Sequence, residues 1–234
     1  MSFRTVFKNR HVVLPVVHVL NVSQAVRNAK LAIDAGADGV FLINHSITTS
    51  HLIKCWRAAV EATGAWIGLN LLGVHPKVLF GDPDLPRGVP GIWVDNALIA
   101  HGDEQPDADR VRDDQIRGRW PQLYFGGVAF KYQAPVTEEQ LGPLAKAATA
   151  YVDVVTTSGT GTGSAPSPDK LRLMKNAIGD HPLAVASGIT PDNVADFLPF
   201  TDAFLVATGI SSNFVELDES KTRALIERVR TFAG

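Results

Sequence analysis

Two ionisable side chains stand where apolar runs are interrupted or end. Asp95 interrupts the run IWVDNALI, and Lys131 directly follows LYFGGVAF. Because a charge in apolar surroundings needs a partner or a function, Asp95 is a candidate general base. Lys131 could form a Schiff base if desolvated, or act as a fixed positive charge beside a phosphate or an enolate. The simpler alternative is an Asp95–Lys131 ion pair that only fills the rim of a cavity.

Two histidines and two asparagines end or follow other apolar runs. His18 and His45 could act as acid/base groups or, together with Asp95, ligate a metal. The sequence has neither HxH nor HExxH spacing, so a divalent metal is only weakly supported and no cofactor is predicted. Asn70 and Asn96 could orient a sugar, or could simply fix loops.

Three glycine-containing turns give the most specific local pattern. They are SGTGTG at 158–163, SGITPDN at 187–193 and ATGIS at 207–211, none of which contains Lys or Arg. Glycine lets backbone amides approach an anion closely, so the last two turns predict a phosphate site, although tight turns alone would also explain the glycines. The predicted phosphate contacts are Ser187, Gly188, Ile189, Thr208, Gly209, Ile210 and Ser211, and Thr157, Ser158 and Gly159 are further predicted substrate contacts.

The elements that carry these residues alternate along the whole chain. Apolar runs of strand length occur at 12–20, 39–44, 66–72, 91–98, 123–130, 152–157, 182–187 and 203–208. Helical spacing occurs at 23–36, 49–63, 76–80, 107–117, 137–150, 167–178, 191–198 and 219–232. Continuous rather than alternating hydrophobicity is typical of parallel strands that are covered on both faces.

This alternation predicts an α/β fold, a single (β/α)₈ TIM-barrel domain over residues 1–234. A doubly wound open sheet is less consistent, since its phosphate loop would follow the first strand and the glycine turns here come late. The Pro- and Gly-rich segment 74–90 predicts a shortened or irregular third helix. In such a barrel the predicted site residues would meet where the strands end.

Composition excludes several classes of protein. The 234 residues are 45% hydrophobic, and 22 Lys and Arg against 24 Asp and Glu give a net charge of −2, which argues against a nucleic-acid-binding surface. The single cysteine, Cys55, excludes an internal disulfide, and no apolar run is long enough to span a membrane. We therefore expect a cytoplasmic protein with a small-molecule phosphorylated substrate, and a homo-oligomer is possible.

The residues from Val154 to Ser211 resemble the BtpA-like family of phosphoribose-type TIM barrels. The similarity continues more weakly upstream through GAWIGLNLLG, GIWVDNAL and GGVAFKYQ, with Tyr132 where the family usually has His. Thr208-Gly209 also stands where Gly-Thr is usual, and the last two turns are similar to those of the phosphoribosylanthranilate isomerase family. The resemblance links the chain to photosystem biogenesis and to nucleoside or sugar-phosphate metabolism.

We therefore expect an enzyme that acts on a phosphorylated pentose or a nucleotide-like molecule. Isomerisation, nucleosidase chemistry and phosphoribosyl transfer remain open. One alternative is a non-catalytic ligand-binding or assembly factor of the BtpA type. Another is a Schiff-base aldolase that uses Lys131.

Overall fold

The computed structural model describes residues 2–118 and 120–232, and eight of its strands form one closed parallel barrel. Each strand pairs with its sequence neighbour, and β8 pairs with β1 through Val12↔Ala203 to Pro15↔Val206. The strands are β1 Val12–Val19, β2 Val40–Asn44, β3 Ile67–Asn70, β4 Gly91–Val94, β5 Leu123–Gly127, β6 Val154–Ser158, β7 Leu183–Ala186 and β8 Ala203–Val206. The predicted (β/α)₈ fold is confirmed.

Eight α-helices accompany the strands in the described residues. They are α1 Phe3–Val6, α2 Val22–Asp34, α3 Thr49–Thr63, α4 Pro76–Leu79, α5 Pro106–Arg117, α6 Glu138–Ala148, α7 Pro168–Ile178 and α8 Glu219–Thr231. The third β–α connection contains only the four-residue α4, as the segment 74–90 predicts. The predicted helix at 191–198 is wrong: 3₁₀ turns occur at Val194–Asp196 and Leu198–Phe200 instead, and Pro199 lies inside the second.

Alternation along the strands separates two hydrophobic layers. One set of side chains fills the inside of the barrel, for example Leu14, Phe41 and Leu205. The other set, which includes Val13 and Leu42, packs outward against the helices. Side chains alternate between the inside and the outside of the barrel. In β1, β2 and β4, the residue two positions after the last interior hydrophobic residue therefore points inward again and reaches the mouth of the barrel.

The short helix α1 closes the opposite end of the barrel. Phe3 and Phe7 are 2% and 4% exposed and join the interior cluster. The Phe7 ring lies 5.1 Å from that of Trp66, and the Phe3 ring lies 6.3 Å from that of Phe125. This aromatic plug is a feature that the sequence analysis missed.

Caps fix the start of the helices near the mouth. Asn21 caps α2, and its side chain accepts from the Gln24 amide. A capping box formed by Thr137 and Gln140 begins α6. Most strands end one to four residues before their apolar runs do, so residues such as Asp95 and Lys131 lie on loops.

Candidate functional site at the mouth of the barrel

A cavity of about 180 Å³ lies at the carboxyl ends of the strands, above the interior core. Its floor is formed by interior side chains, among them Val16, Ile43 and Trp93. His18, His45 and Asp95 follow these three residues by two positions, so the same alternation points them into the cavity. Of the predicted site residues, six line it: His18, His45, Asp95, Lys131, Ser187 and Thr208.

Asp95 is held by two neighbouring side chains. Asn70 Nδ2 donates to its carboxylate at 3.0 Å, and Gln133 Nε2 donates to its backbone oxygen at 2.8 Å. Burial raises the pKa of Asp95, while the Asn70 hydrogen bond and the nearby Lys131 and His45 oppose that rise. A carboxylate with a raised pKa in a cavity is suited to accept a proton.

Lys131 is bonded to hydroxyl groups. Its ammonium donates to Ser187 Oγ at 3.3 Å and to Thr162 Oγ1 at 3.4 Å. Among the described residues no carboxylate lies within the 4.0 Å of an ion pair, so the alternative of a simple Asp95–Lys131 ion pair is wrong. Ala129, two residues before Lys131, and Tyr132, directly after it, have φ of +47° and +65°. Residues other than glycine rarely adopt this region of backbone conformation. This strain is concentrated on the segment that carries the lysine.

The two histidines form an aromatic cluster with Phe214, which the sequence analysis missed. Their ring centroids are 4.7 Å apart, and His18 Nδ1 donates to the Phe214 backbone oxygen at 2.9 Å. Burial, and then the neighbouring His45, lowers the pKa of His18 to about 4. Burial followed by Lys131 also lowers the pKa of His45. His18 is therefore neutral at pH 7.

The β7 turn is locked into an unusual backbone conformation. Ser187 and Gly188 have φ of +78° and +70°, and Asn193 holds the turn through Gly188 O at 2.9 Å and the Thr190 amide at 2.8 Å. Within the described part of the chain, the amides of Gly188, Ile189, Thr208 and Gly209 donate to no protein acceptor. These amides remain available to an anion.

Two other predicted phosphate contacts are used by the β8 turn itself. The Ile210 amide and the Ser211 hydroxyl both donate to the Ala207 oxygen, at 3.0 and 2.8 Å. They close the 3₁₀ turn Thr208–Ile210. Both donors therefore stabilise the turn.

The glycines of the three turns allow backbone to approach backbone. A Cβ on Gly188 would lie 2.0 Å from Ala165 N, one on Gly209 would lie 1.8 Å from Ile189 O, and one on Gly159 would lie 2.1 Å from Ser164 O. The three turns pack directly on one another, which no side chain would permit. Gly188, Ile189 and Gly209 do not themselves line the cavity.

The predicted substrate contacts lie beside the cavity. Asn70 acts on Asp95, and Asn96 Oδ1 accepts from the Leu98 amide at 2.8 Å. The Thr157 hydroxyl donates to Ala129 O at 3.2 Å, and the Ser158 hydroxyl accepts from the Lys131 amide at 2.7 Å. Both hydroxyls therefore hold the segment that carries Lys131, and Gly159 does not line the cavity.

A larger groove, of about 740 Å³, lies at the amino end of the barrel between α1 and α5. It contains none of the predicted site residues. Because TIM barrels bind ligands where their strands end, the mouth rather than this groove is the candidate site. In the described part of the chain, no three His, Cys, Asp or Glu side chains are grouped to hold a metal, and no helix there is both long and apolar enough to span a membrane.

Comparison with known proteins agrees with this architecture. A model of the BtpA family matches residues 123–231, the segment from β5 to the end of α8. This part of the chain is similar to the BtpA family. The predicted resemblance is thus confirmed, and the BtpA-matching segment contains Lys131 and all three glycine turns. No curated protein matches the chain.

Solved structures share the fold at low identity. One is (S)-3-O-geranylgeranylglyceryl phosphate synthase from Thermoplasma acidophilum with its substrate sn-glycerol-1-phosphate (15% identity, TM-score 0.70, 99% and 100% of the two chains). Another is phosphoribosyl anthranilate isomerase from Thermus thermophilus (19%, 0.64, 93% and 98%). A third is a native KDPGal structure (16%, 0.65, 98% of each chain). Two of these proteins have phosphorylated small molecules in their names or as their substrate.

Proposed function

We propose that this chain is an enzyme that acts on a small phosphorylated molecule, a phosphorylated pentose or a nucleotide-like compound, bound at the mouth of the barrel. One observation carries the proposal. Among the described residues, backbone amides without protein acceptors occur in the turns after β7 and β8. Ser187 and Thr208 of these turns line the same cavity as Lys131, whose ammonium is bonded only to hydroxyl groups.

The anion site proposed here combines amides with one cation. The amides of Gly188, Ile189, Thr208 and Gly209 supply donors without bulk, and the hydroxyls of Ser187 and Thr208 add to them. Sequence reasoning left these turns without a cation. The contact of Lys131 Nζ with Ser187 Oγ supports Lys131 as the charge that completes the site.

The proton chemistry is assigned to Asp95. Its burial favours the protonated form, so an ionised Asp95 is a stronger base than an exposed carboxylate. Lys131 would stabilise negative charge that develops on the substrate, and neutral His18 and His45 would position hydroxyls by hydrogen bonds. Isomerisation, nucleosidase chemistry and phosphoribosyl transfer all use such a base, so the proposal names the site and the substrate class.

The testing experiment compares ribose 5-phosphate with ribose in a thermal-shift titration. We expect the phosphate to stabilise the protein, by about 2.7 kcal/mol at a ligand concentration 100 times Kd, and ribose to have no effect. Lys131→Met and Thr208→Val should weaken the response, whereas Lys54→Met, at an exposed lysine of α3, should not. Equal responses to ribose and its phosphate would contradict the proposal.

Turnover assays and borohydride trapping separate the alternative functions. If ribose 5-phosphate binds and no turnover occurs with any phosphorylated pentose or nucleoside, the chain is a ligand-binding factor. If borohydride traps a covalent adduct with an aldehyde substrate on Lys131, the chain is a Schiff-base aldolase. We expect turnover without an adduct.

A further inference from the structure

A second cavity, which we call the side cavity, opens between the β5–α6 and β6–α7 loops. Its volume is about 470 Å³, within the range that small-molecule sites occupy. Phe130, Val136, Leu141 and Pro166 give it apolar walls, and Lys131 and Lys170 are the charged groups among the half-buried residues that line it. Of the residues proposed to bind phosphate, Lys131 alone lines it.

Lys170 has a charge that its surroundings compensate only in part. Its ammonium donates to Ala129 O at 2.5 Å and to Ser158 O at 2.7 Å, which leaves one N–H without an acceptor in the described part of the chain. No described carboxylate lies within 4.0 Å. Lys170 is also the third residue of α7, where the helix dipole is positive and disfavours a cation.

The surroundings of Lys170 make its charged form less favourable. Burial lowers the pKa of Lys170 to about 8. The hydrogen bonds of Lys170 to Ala129 O and Ser158 O stabilise the packing of the β5–α6 loop against the end of β6. They do not account for the cavity that Lys170 lines, where an anion would offset both the charge of the ammonium and the helix dipole.

A thin partition separates the side cavity from the mouth. Lys131 and Tyr132 line both cavities. The Tyr132 hydroxyl lies 3.2 Å from Thr162 Oγ1 and accepts from the Thr162 amide at 3.4 Å, and Thr162 lines the mouth. A ligand could therefore extend across this partition and occupy both spaces when Tyr132 moves.

We propose that the side cavity binds a carboxylate carried on a flat apolar body, with the carboxylate on Lys170 and the body between Phe130, Val136 and Leu141. A carboxylate fits because Lys170 has one available N–H and a positive charge, and Lys131 adds a second positive charge to the lining. Glu138 also borders the cavity but is exposed to water, so its repulsion is screened. The inference rests on the proposed function in one respect: this group is the second part of the substrate whose phosphate lies at the mouth.

The test measures benzoate binding by calorimetry at low salt, with and without saturating inorganic phosphate. We expect benzoate to bind in the presence of phosphate with an unchanged Kd, and benzamide, its neutral analogue, to bind at least about tenfold more weakly. Lys170→Met should weaken benzoate binding by about tenfold or more, Lys170→Arg should retain most of it, and Lys54→Met should leave it unchanged.

A second variant separates binding from loop structure, because Lys170→Met also removes two hydrogen bonds to carbonyls. Val136→Trp fills the side cavity and leaves Lys170 in place, and it should abolish benzoate binding while phosphate still binds. Absence of benzoate binding to the wild-type protein, one-for-one displacement by phosphate, or full affinity in Val136→Trp would each overturn the inference. Loss of phosphate binding with benzoate binding retained would instead refute the function proposed for the mouth.

Discussion

Lys131 Nζ lies 3.3 Å from Ser187 Oγ, although 56 residues separate the two along the chain. The contact joins the loop after β5 to the turn after β7, and both ends are held in strained backbone: Tyr132 has a φ of +65° and Ser187 a φ of +78°. Strain of this kind persists only where the surrounding structure imposes it, and it is common at functional sites.

Ser187→Gly separates strain from hydrogen bonding at that contact. Glycine adopts a positive φ without cost, so we expect the free energy of unfolding to rise by up to about 1 kcal/mol. The lost hydroxyl should weaken binding of ribose 5-phosphate several-fold. Urea denaturation and calorimetry check the two effects, and a variant that lost stability would refute the strain argument.

Gly188→Ala should destabilise the fold by about 2 kcal/mol or more. Its Cβ would lie 2.0 Å from the Ala165 amide nitrogen, at a residue whose φ is +70°. Gly161→Ala is the matched control in a neighbouring loop, because nothing lies within 4 Å of its Cβ and its φ is not positive. Urea denaturation of both variants measures the difference, and similar losses in the two would contradict the packing of the turns.

Asp95→Asn should abolish turnover by about 100-fold or more while ribose 5-phosphate still binds. It should also stabilise the protein at pH 7. Burial raises the pKa of Asp95 above its usual value, so ionisation opposes folding once the pH exceeds the usual range of an aspartate. The stability advantage of the variant should therefore disappear as the pH falls toward that range. A variant that is active, or less stable at pH 7, would refute this role.

Asn70→Leu tests how the pKa of Asp95 is set. The Asn70 hydrogen bond favours the ionised carboxylate, so its removal should raise the pKa of Asp95 further. If Asp95 is the base, the acidic limb of the pH profile of kcat/KM should move to higher pH. An unchanged profile with reduced kcat would show that Asn70 acts only on the substrate.

His18 should make the protein sensitive to acid. Its pKa of about 4 lies below the ordinary 6.5, so the unfolded chain binds the proton more tightly. Stability is then complete above pH 6.5 and is lost as the pH falls toward 4, by up to about 3 kcal/mol. His18→Gln should flatten this dependence in urea denaturation at a series of pH values. Parallel curves for the two proteins would contradict it.

Periodicity and capping residues made most of the fold predictable. Helix α3 begins and ends as its spacing indicates, at Thr49 and Thr63, because Thr48 caps it and Gly64 adopts a φ of +62° to end it. The helix expected at 191–198 was predicted from apolar spacing alone. Pro191 at its start and Pro199 directly after it favour short 3₁₀ turns instead. Helix α1 was not predicted because it has only four residues and is stabilised by packing against the barrel, which sequence periodicity does not show.

The candidate site was predictable in part, because strand parity decides which side chains enter the cavity. His18, His45 and Asp95 share the parity of interior residues, whereas Thr157 shares that of Val155, which packs outward. That signal was present in the sequence. The contact of Phe214 with His18 was not predictable from this signal. Phe214 is a loop residue that is 51% exposed, and only the tertiary fold brings it to His18.

The aromatic rings of Phe3 and Phe7 have a kinetic consequence for any molecule that enters the barrel. Because they fill the space beneath Phe125 and Trp66, the barrel is closed at that end to a bound compound. A molecule bound in the cavity therefore enters and leaves through the same opening, past His18, Tyr132 and Phe214.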